Sequence, residues 1–234
     1  MITIIIPLAG RGQRFKDAGY KEPKPLIDVC GQPMIQRVLS SLDSKANYIF
    51  IVLKENIDQL KPYLKGKIIE VSETTEGAAC TALLAEKLIT DDELIIANGD
   101  QYLNFDWNEF ISNARKYDGC IMTFNSTNPH HSYAKAINGR VVEVAEKVVI
   151  SDRASVGIYY FKHGKEFIWA AKEMISKNIR TNNEFYICPV YQQLIERGDN
   201  IGIWEIDVKD KHMLGTPGEL NIFIDKVKNG EVVL

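Results

Sequence analysis

The stretch Pro7-Leu8-Ala9-Gly10-Arg11-Gly12-Gln13-Arg14-Phe15, followed by Pro23-Lys24-Pro25-Leu26, decides how this chain is read. Immediately before it, Ile2–Ile6 is a continuous apolar run, the pattern of a parallel strand buried on both faces. In a doubly wound sheet, ligands sit beyond the carboxyl ends of the strands, where this loop leaves the first one. Gly10 and Gly12 let the backbone come close to a ligand, with N–H groups facing phosphate oxygens. Arg14 and Lys24 add two positive charges to the same loop. Two other phosphate motifs are excluded. The dinucleotide fingerprint fails because Phe15 stands where its third glycine is required. Neither Gly-Lys pair makes a Walker A loop, since Gly66-Lys67 and Gly164-Lys165 are followed by Ile68 and Glu166.

Outward from this loop, strand and helix signals alternate through the first half. Strands are expected at Tyr48–Leu53, Lys67–Val71, Leu94–Ala97 and Gly119–Phe124, with helices at Met34–Leu42, Asn56–Leu64, Ala78–Ile89 and Trp107–Tyr117. The second half changes character. Ala134–Ile137 and Arg140–Ala145 flank Asn138-Gly139, a strong hairpin signal. Ser155–Phe161 reads as a strand and Ile201–Ile206 as another. Helices are expected at Lys165–Ser176, Pro189–Arg197 and after Pro217, where Thr216 and Glu219 make a capping box. The expected fold is one α/β domain, residues 1–234, with a doubly wound, mixed but mostly parallel sheet flanked by helices. Residues 1–125 form its nucleotide-binding part and 126–234 its acceptor-binding part.

Composition narrows the function classes. The 234 residues are 45% apolar, enough for a full core, and 28 Lys and Arg against 31 Asp and Glu leave a net charge of -3. That balance argues against a nucleic-acid footprint. Four scattered cysteines without a C-x-x-C pair suit a reducing compartment rather than a zinc site or disulfide frame. No apolar run is long enough for a signal peptide or membrane span, so a cytoplasmic protein without a membrane partner is expected. The adjacent His130-His131 lack a third spaced ligand and read as a solvated loop.

On these residues the chain resembles the sugar-1-phosphate nucleotidyltransferase family, whose nucleotide-binding sheet is of the GT-A type. That family opens with G-x-G-[S/T]-R and a following P-K-P/A-[L/M], matched by Gly10, Gly12, Arg14, Pro23, Lys24 and Leu26. The resemblance implies that Leu8, Ala9, Gly10, Arg11, Gly12 and Gln13 bind the nucleotide and that the Glu76-Gly77-Ala78-Ala79 turn reads its base. It implies that Asn98 and Gly99 line the same site and that Asp100 holds Mg²⁺. Tyr133 and Glu146-Lys147 resemble the stretch that binds the acceptor and its phosphate, and Gly157 and Asn183-Glu184 fall where the family lines the acceptor pocket. Gly215-Thr216-Pro217 matches its closing G-T-P. Ile6–Gly10, Asn183–Tyr186 and the short chain look most like small cytidylyltransferases of capsule pathways. That narrower likeness favours CTP as donor and phosphoglutamine as acceptor, with a thymidylyl- or uridylyltransferase acting on a sugar 1-phosphate as the alternative.

The implied reaction joins a nucleoside monophosphate from an NTP to a phosphorylated small molecule and releases pyrophosphate. A phosphate monoester is already anionic and needs no general base, so the lack of a Ser/His/Asp or Cys/His constellation is expected. The obstacle is repulsion between anions, which calls for neutralisation and in-line alignment. Arg14 is assigned the leaving β,γ-phosphates, Lys24 the α-phosphoryl group and Lys147 the acceptor phosphate. Gln13 replaces the family's Ser/Thr, and Met213 stands where the family often has a second metal-binding Asp. Asp210, ahead of Asp207, is expected to supply that carboxylate, with water around Asp100 as the alternative. Glu184 is read either as an acceptor contact or as a surface partner of Arg180. A glycosyltransferase of similar architecture would carry D-x-D where Asn98-Gly99-Asp100 stands, and a non-catalytic homologue would have no use for Arg14, Lys24 and Asp100 together. The family resemblance leaves a homo-oligomer open.

Overall fold

A computed structural model describes residues 1–234. Strand β1 (Thr3–Leu8) ends at the glycine-rich loop, which closes into one short helix, α1 (Gln13–Asp17). A two-residue hairpin, β2 (Asp28–Val29) and β3 (Gln32–Pro33), delivers α2 (Met34–Ser40). Then come β4 (Asn47–Leu53), α3 (Ile57–Leu60), β5 (Lys67–Val71), α4 (Ala78–Leu83), β6 (Leu94–Ala97), β7 (Gln101–Leu103), α5 (Trp107–Ala114) and β8 (Gly119–Asn125). The rest is β9 (Ser132–Ile137), β10 (Arg140–Glu146), β11 (Arg153–Phe161), α6 (Gly164–Ser176), α7 (Val190–Arg197), β12 (Ile201–Glu205), β13 (Lys211–Met213) and α8 (Pro217–Lys228).

Nine strands form one sheet in the order β5-β4-β1-β6-β11-β8-β12-β10-β9. β4, β5 and β6 join β1 in parallel, as crossover connections through α2, α3 and α4 require, and β12 runs parallel to β8. Only β11 and β10 run against the rest, so the sheet is mixed and mostly parallel. Asn138 and Gly139 sit at φ 52 and 78, the left-handed pair that a two-residue hairpin needs between β9 and β10.

The strands alternate between two buried layers. Ile5, Ile49, Ile51 and Ile96 face Ala79 and Ala82 of α4, Phe167 of α6 and Leu194 of α7. Ile4, Ile6, Phe50 and Ile95 face Val38 of α2, Leu60 of α3 and Phe110 of α5. Each such aliphatic contributes roughly 1.5–3 kcal/mol by leaving water. Two expected helices are shorter than their apolar spacing implied. Residues 56–64 give only α3 before Pro62 forces a 3₁₀ turn, and α4 stops at Leu83 ahead of a 3₁₀ turn at Glu86–Leu88. No helix is long and apolar enough to cross a membrane.

Candidate active site

The site lies where β1 and β6, neighbours in the sheet, both end. Gly12 adopts φ 63 as the N-cap of α1, and a Cβ there would lie 3.0 Å from the Cβ of Lys24, so the two halves of the loop close on each other. A Cβ at Gly10 would meet nothing within 4 Å, so the backbone at Gly10 faces open space. Asn98-Gly99-Asp100 leaves β6 beside this loop. A Cβ at Gly99 would lie 2.4 Å from Leu8 Cδ2, so the Leu8 side chain packs directly against this turn. The closure brings Lys24 Nζ to 2.6 Å from Asp100 Oδ2, with both side chains about a quarter exposed.

Arg14 is exposed on α1 with no ion pair or hydrogen bond, and its charge reaches the Tyr186 phenol. Gln13 behaves otherwise than the sequence suggested: its amide donates to Asp17 Oδ1 at 2.7 Å, turned along its own helix rather than toward the loop.

Two adjoining cavities open here. One of about 310 Å³ is lined by Leu8, Gly10, Lys24, Asn98, Asp100 and Tyr186 among others. The second, of about 600 Å³, runs past Arg11 to Thr74, Thr75, Gly77, Thr81 and Glu184, and both share Ala78 and Tyr186. On the outer side of the loop a third hollow of about 280 Å³ gathers Arg11, Lys16, Lys21 and Lys24. The threonines and the two flanking lysines are lining residues that the sequence reading missed. Thr74-Thr75 directly before Glu76-Gly77 was the available signal, because hydroxyls beside a tight turn organise its backbone. Thr75 Oγ1 lies 2.6 Å from Thr81 Oγ1 and donates to the Gly77 carbonyl at 2.9 Å.

Gly77 is the point of closest approach. It sits at φ 129, and a Cβ would come within 2.5 Å of both the N and the O of Phe185. Phe185 N–H donates to the Glu76 carbonyl at 2.7 Å, and Ala79 N–H donates to the Phe185 carbonyl at 3.0 Å. The 76–79 turn is therefore fastened to the Glu184–Tyr186 segment by two backbone hydrogen bonds. The surface pairing of Glu184 with Arg180 does not form. Arg180 instead bridges to Glu76 at 2.5 Å and lies 4.2 Å over the Phe185 ring, which leaves Glu184 lining the larger cavity.

The remaining acceptor-side residues divide. Lys147, at φ 58, donates to the Tyr186 hydroxyl and lies 4.4 Å over its ring. Burial, then the neighbouring Glu184, pushes the Tyr186 phenol up, so it stays protonated. Glu146 is buried and accepts the Ser132 hydroxyl, and burial raises its carboxyl despite that bond. Tyr133 is a correction: its side chain is fully buried and its hydroxyl donates to the Asn128 carbonyl at 2.6 Å, so it packs in the core rather than facing a cavity. Gly157, at φ 87 in the irregular middle of β11, acts beneath the cavity. A Cβ there would lie 2.2 Å from Asn98 Nδ2, and its carbonyl accepts the Asn98 amide at 2.9 Å. His131 packs edge-on against Phe124 and is half-buried. Burial, then the charge of Lys211, lowers it to about 4, a neutral imidazole rather than a solvated one.

Asp210 is the second correction. β13 pairs antiparallel with β7, Met213 opposite Gln101 and Lys211 opposite Leu103, and Asn104 N–H donates to the Asp210 carbonyl. Asp210 thus lies at the far end of this small ladder from Asp100, roughly 13 Å away at the usual strand rise. Asp207 accepts from Lys209 in a fully exposed turn and is no nearer a role. The same register delivers a different carboxylate. Leu214 N–H donates to the Asp100 carbonyl at 2.9 Å, which sets Gly215 against the site. A Cβ at Gly215 would lie 3.1 Å from Asp100 Oδ2 and 3.3 Å from Glu219 Oε2, so the two carboxylates flank one side-chain-free position. Thr216 Oγ1 donates to Glu219 Oε2 at 2.9 Å and accepts Glu219 N–H at 3.2 Å, holding that carboxylate at the start of α8.

The chain is similar in sequence and fold to known proteins. The chain is 27% identical over 165 residues to the bifunctional protein GlmU of Methanocaldococcus jannaschii, covering 67% of this chain and 39% of that one. It is 26% identical over 250 residues to GlmU of Campylobacter curvus, covering 98% and 54%. The chain therefore spans about half of these relatives or less. Its fold superposes on the nucleoside-diphosphate-sugar pyrophosphorylase of Vibrio cholerae with a TM-score of 0.84 at 25% identity, covering 96% and 100% of the two chains. The inositol-1-phosphate CTP transferase of T. maritima shares the fold, with a TM-score of 0.72 at 13% identity over 99% and 98%. The profile described as nucleotidyl transferase matches residues 3–203, from the first residue of β1 into β12, with the glycine-rich loop and Asp100 inside it. This chain belongs to the nucleotidyl transferase family.

Proposed function

We propose that the protein transfers a nucleoside monophosphate from an NTP to a phosphorylated small molecule of the sugar-phosphate type and releases pyrophosphate. The observation that carries this reading is the convergence of the glycine-rich loop, Lys24 and Asp100 on one cleft, with Lys147 and Tyr186 on its acceptor side. The base would lie against Gly77, Ala78 and the threonine hydroxyls, and the triphosphate along Gly10–Gly12 toward Arg11, Lys16 and Lys21. Arg14 holds the leaving β,γ-phosphates, Lys24 offsets charge growing at the α-phosphoryl group, and Lys147 orients the acceptor phosphate for in-line attack.

The donor set suits a hard divalent cation. Asp100 and Glu219 present carboxylate oxygens on either side of Gly215, and Mg²⁺ prefers oxygen ligands while keeping several waters. Asp100, with Glu219 as the second carboxylate, would hold the ion, which when bound neutralises phosphate charge. CTP is the favoured donor because the Gly77–Ala79 turn offers room for a small pyrimidine, and phosphoglutamine is the favoured acceptor among phosphorylated compounds. A sugar-1-phosphate thymidylyl- or uridylyltransferase is the second reading, supported by the similarity to the nucleoside-diphosphate-sugar pyrophosphorylase of Vibrio cholerae.

A pyrophosphate-release screen crossing common NTPs with phosphoglutamine, phosphocholine and sugar 1-phosphates tests this. Mg²⁺-dependent release is expected, reduced at least about 100-fold by Asp100→Asn in a folded protein. Glu219→Gln should need severalfold more Mg²⁺ for half-maximal rate. Near wild-type turnover in Asp100→Asn refutes the site, and an unchanged Mg²⁺ titration removes Glu219 from it.

A further inference from the structure

Lys211 is a partly buried cation with no ion pair or side-chain hydrogen bond to the protein. Lys211 opens β13, and side chains two apart on a strand share a face, so it projects with Met213 and away from His212. The His212 ring packs on Tyr102 and Phe223, on the core side. Lys211 instead turns to the carboxyl end of β8, where its ammonium lies 3.6 Å from the centre of the Phe124 ring. Phe124 packs edge-on against His131 at 5.2 Å, and the His131 carbonyl accepts the Lys147 amide at 3.0 Å. On the other side the charge of Glu219 reaches Lys211 without forming an ion pair. Lys211 thus has the Glu219 carboxylate on one side and, through Phe124 and His131, the Lys147 backbone on the other. Burial lowers it to about 8, so the aromatic face does not replace the hydration that the ammonium has lost. A partly desolvated charge without a counter-charge suits a site that an anion completes.

We propose that Lys211 binds a second anionic group of the acceptor, a carboxylate separate from the phosphate at Lys147. The acceptor class is then a phosphorylated compound that also carries a carboxylate. This assignment rests on the nucleotidyl-transfer reading above and adds a chemical requirement to it. A phosphorylated acceptor without the carboxylate leaves the Lys211 ammonium unpaired, whereas a carboxylate satisfies it, so discrimination comes from both the gained contact and the avoided burial.

Matched acceptor pairs that differ by one carboxylate test it: glucuronate 1-phosphate against glucose 1-phosphate, and O-phosphoserine against phosphoethanolamine, each with CTP, UTP or dTTP and Mg²⁺. Wild-type kcat/KM should favour the carboxylate-bearing member by about tenfold or more, the range of a charge-assisted hydrogen bond. Lys211→Met should collapse that ratio toward one, while Lys211→Arg keeps most of it. No preference in the wild type, or an equal loss on both members in Lys211→Met, overturns the proposal. Thermal shifts with a non-hydrolysable CTP analogue and the same acceptors separate the two levels. If no acceptor yields pyrophosphate, the transfer reading fails. Selective stabilisation by the carboxylate member that Lys211→Met abolishes still supports this site, and equal stabilisation by both members overturns it. Lys211→Met should melt no lower than wild type, which keeps a folding defect apart from a binding one.

Discussion

Lys24 and Asp100 are joined at 2.6 Å, yet one is assigned to the nucleotide and the other to the metal. A divalent cation on Asp100 would share the carboxylate with that ammonium or displace it, and two cations beside one carboxylate repel. The pair would therefore oppose metal binding until phosphates arrive to take Lys24. Lys24→Met separates the two effects. Turnover should fall about 100- to 1,000-fold, while Mn²⁺ affinity measured by electron paramagnetic resonance should rise severalfold in the protein without nucleotide. Weaker Mn²⁺ binding in this variant would show that Lys24 does not compete at Asp100. Asp100 was legible in the sequence because it follows an apolar strand run at a glycine turn, and Lys24 because its Pro-Lys-Pro-Leu stretch completes the glycine-rich loop motif. Tyr133 was not, since a tyrosine on an alternating strand reads the same whether it faces ligand or core, and only its complete burial decides.

Elements explain the other misses. β7 and β13 are three residues each, too short for any periodicity to reveal them, yet their register decides which acidic residue meets Asp100. Proximity to Gly215 in the chain pointed to Asp210, but the ladder carries it away and brings in Glu219, whose capping box had already explained its presence. By contrast β1, β4, β6 and the Asn138-Gly139 hairpin were readable, because continuous apolar runs and a glycine turn are local signals. The 76–79 turn belongs to this scale as well. Gly77→Ala must place a methyl group 2.5 Å from the Phe185 backbone at φ 129, so a loss of about 2–4 kcal/mol in chemical unfolding is expected, with nucleotide affinity falling alongside. A Gly77→Ala protein of unchanged stability would mean that the fastening to Phe185 is not tight.

Over the whole molecule, buried basic groups set how stability varies with pH. His131 titrates near 4 when folded against 6.5 ordinarily, so the unfolded chain binds more protons between those values. Stability should fall as pH drops from about 6.5 toward 4, and His131→Gln should flatten that limb of a denaturation series. Lys211, near 8 when folded against 10.5, makes stability rise with pH from about 8 to 10.5, and Lys211→Met should remove the rise. The global arrangement, parallel strands in the first half and an antiparallel insertion in the second, was foreseeable only in part. The place of β11 between β6 and β8 is a long-range pairing that no local pattern encodes. The fastening of residues 76–79 to Phe185 has one more consequence. Because residues 76–79 and the segment that ends in Tyr186 are tied through their backbones, a shift of one pulls on the other. The two segments are thus coupled by two backbone hydrogen bonds rather than by a hinge, so a displacement on one side of the cleft is felt on the other.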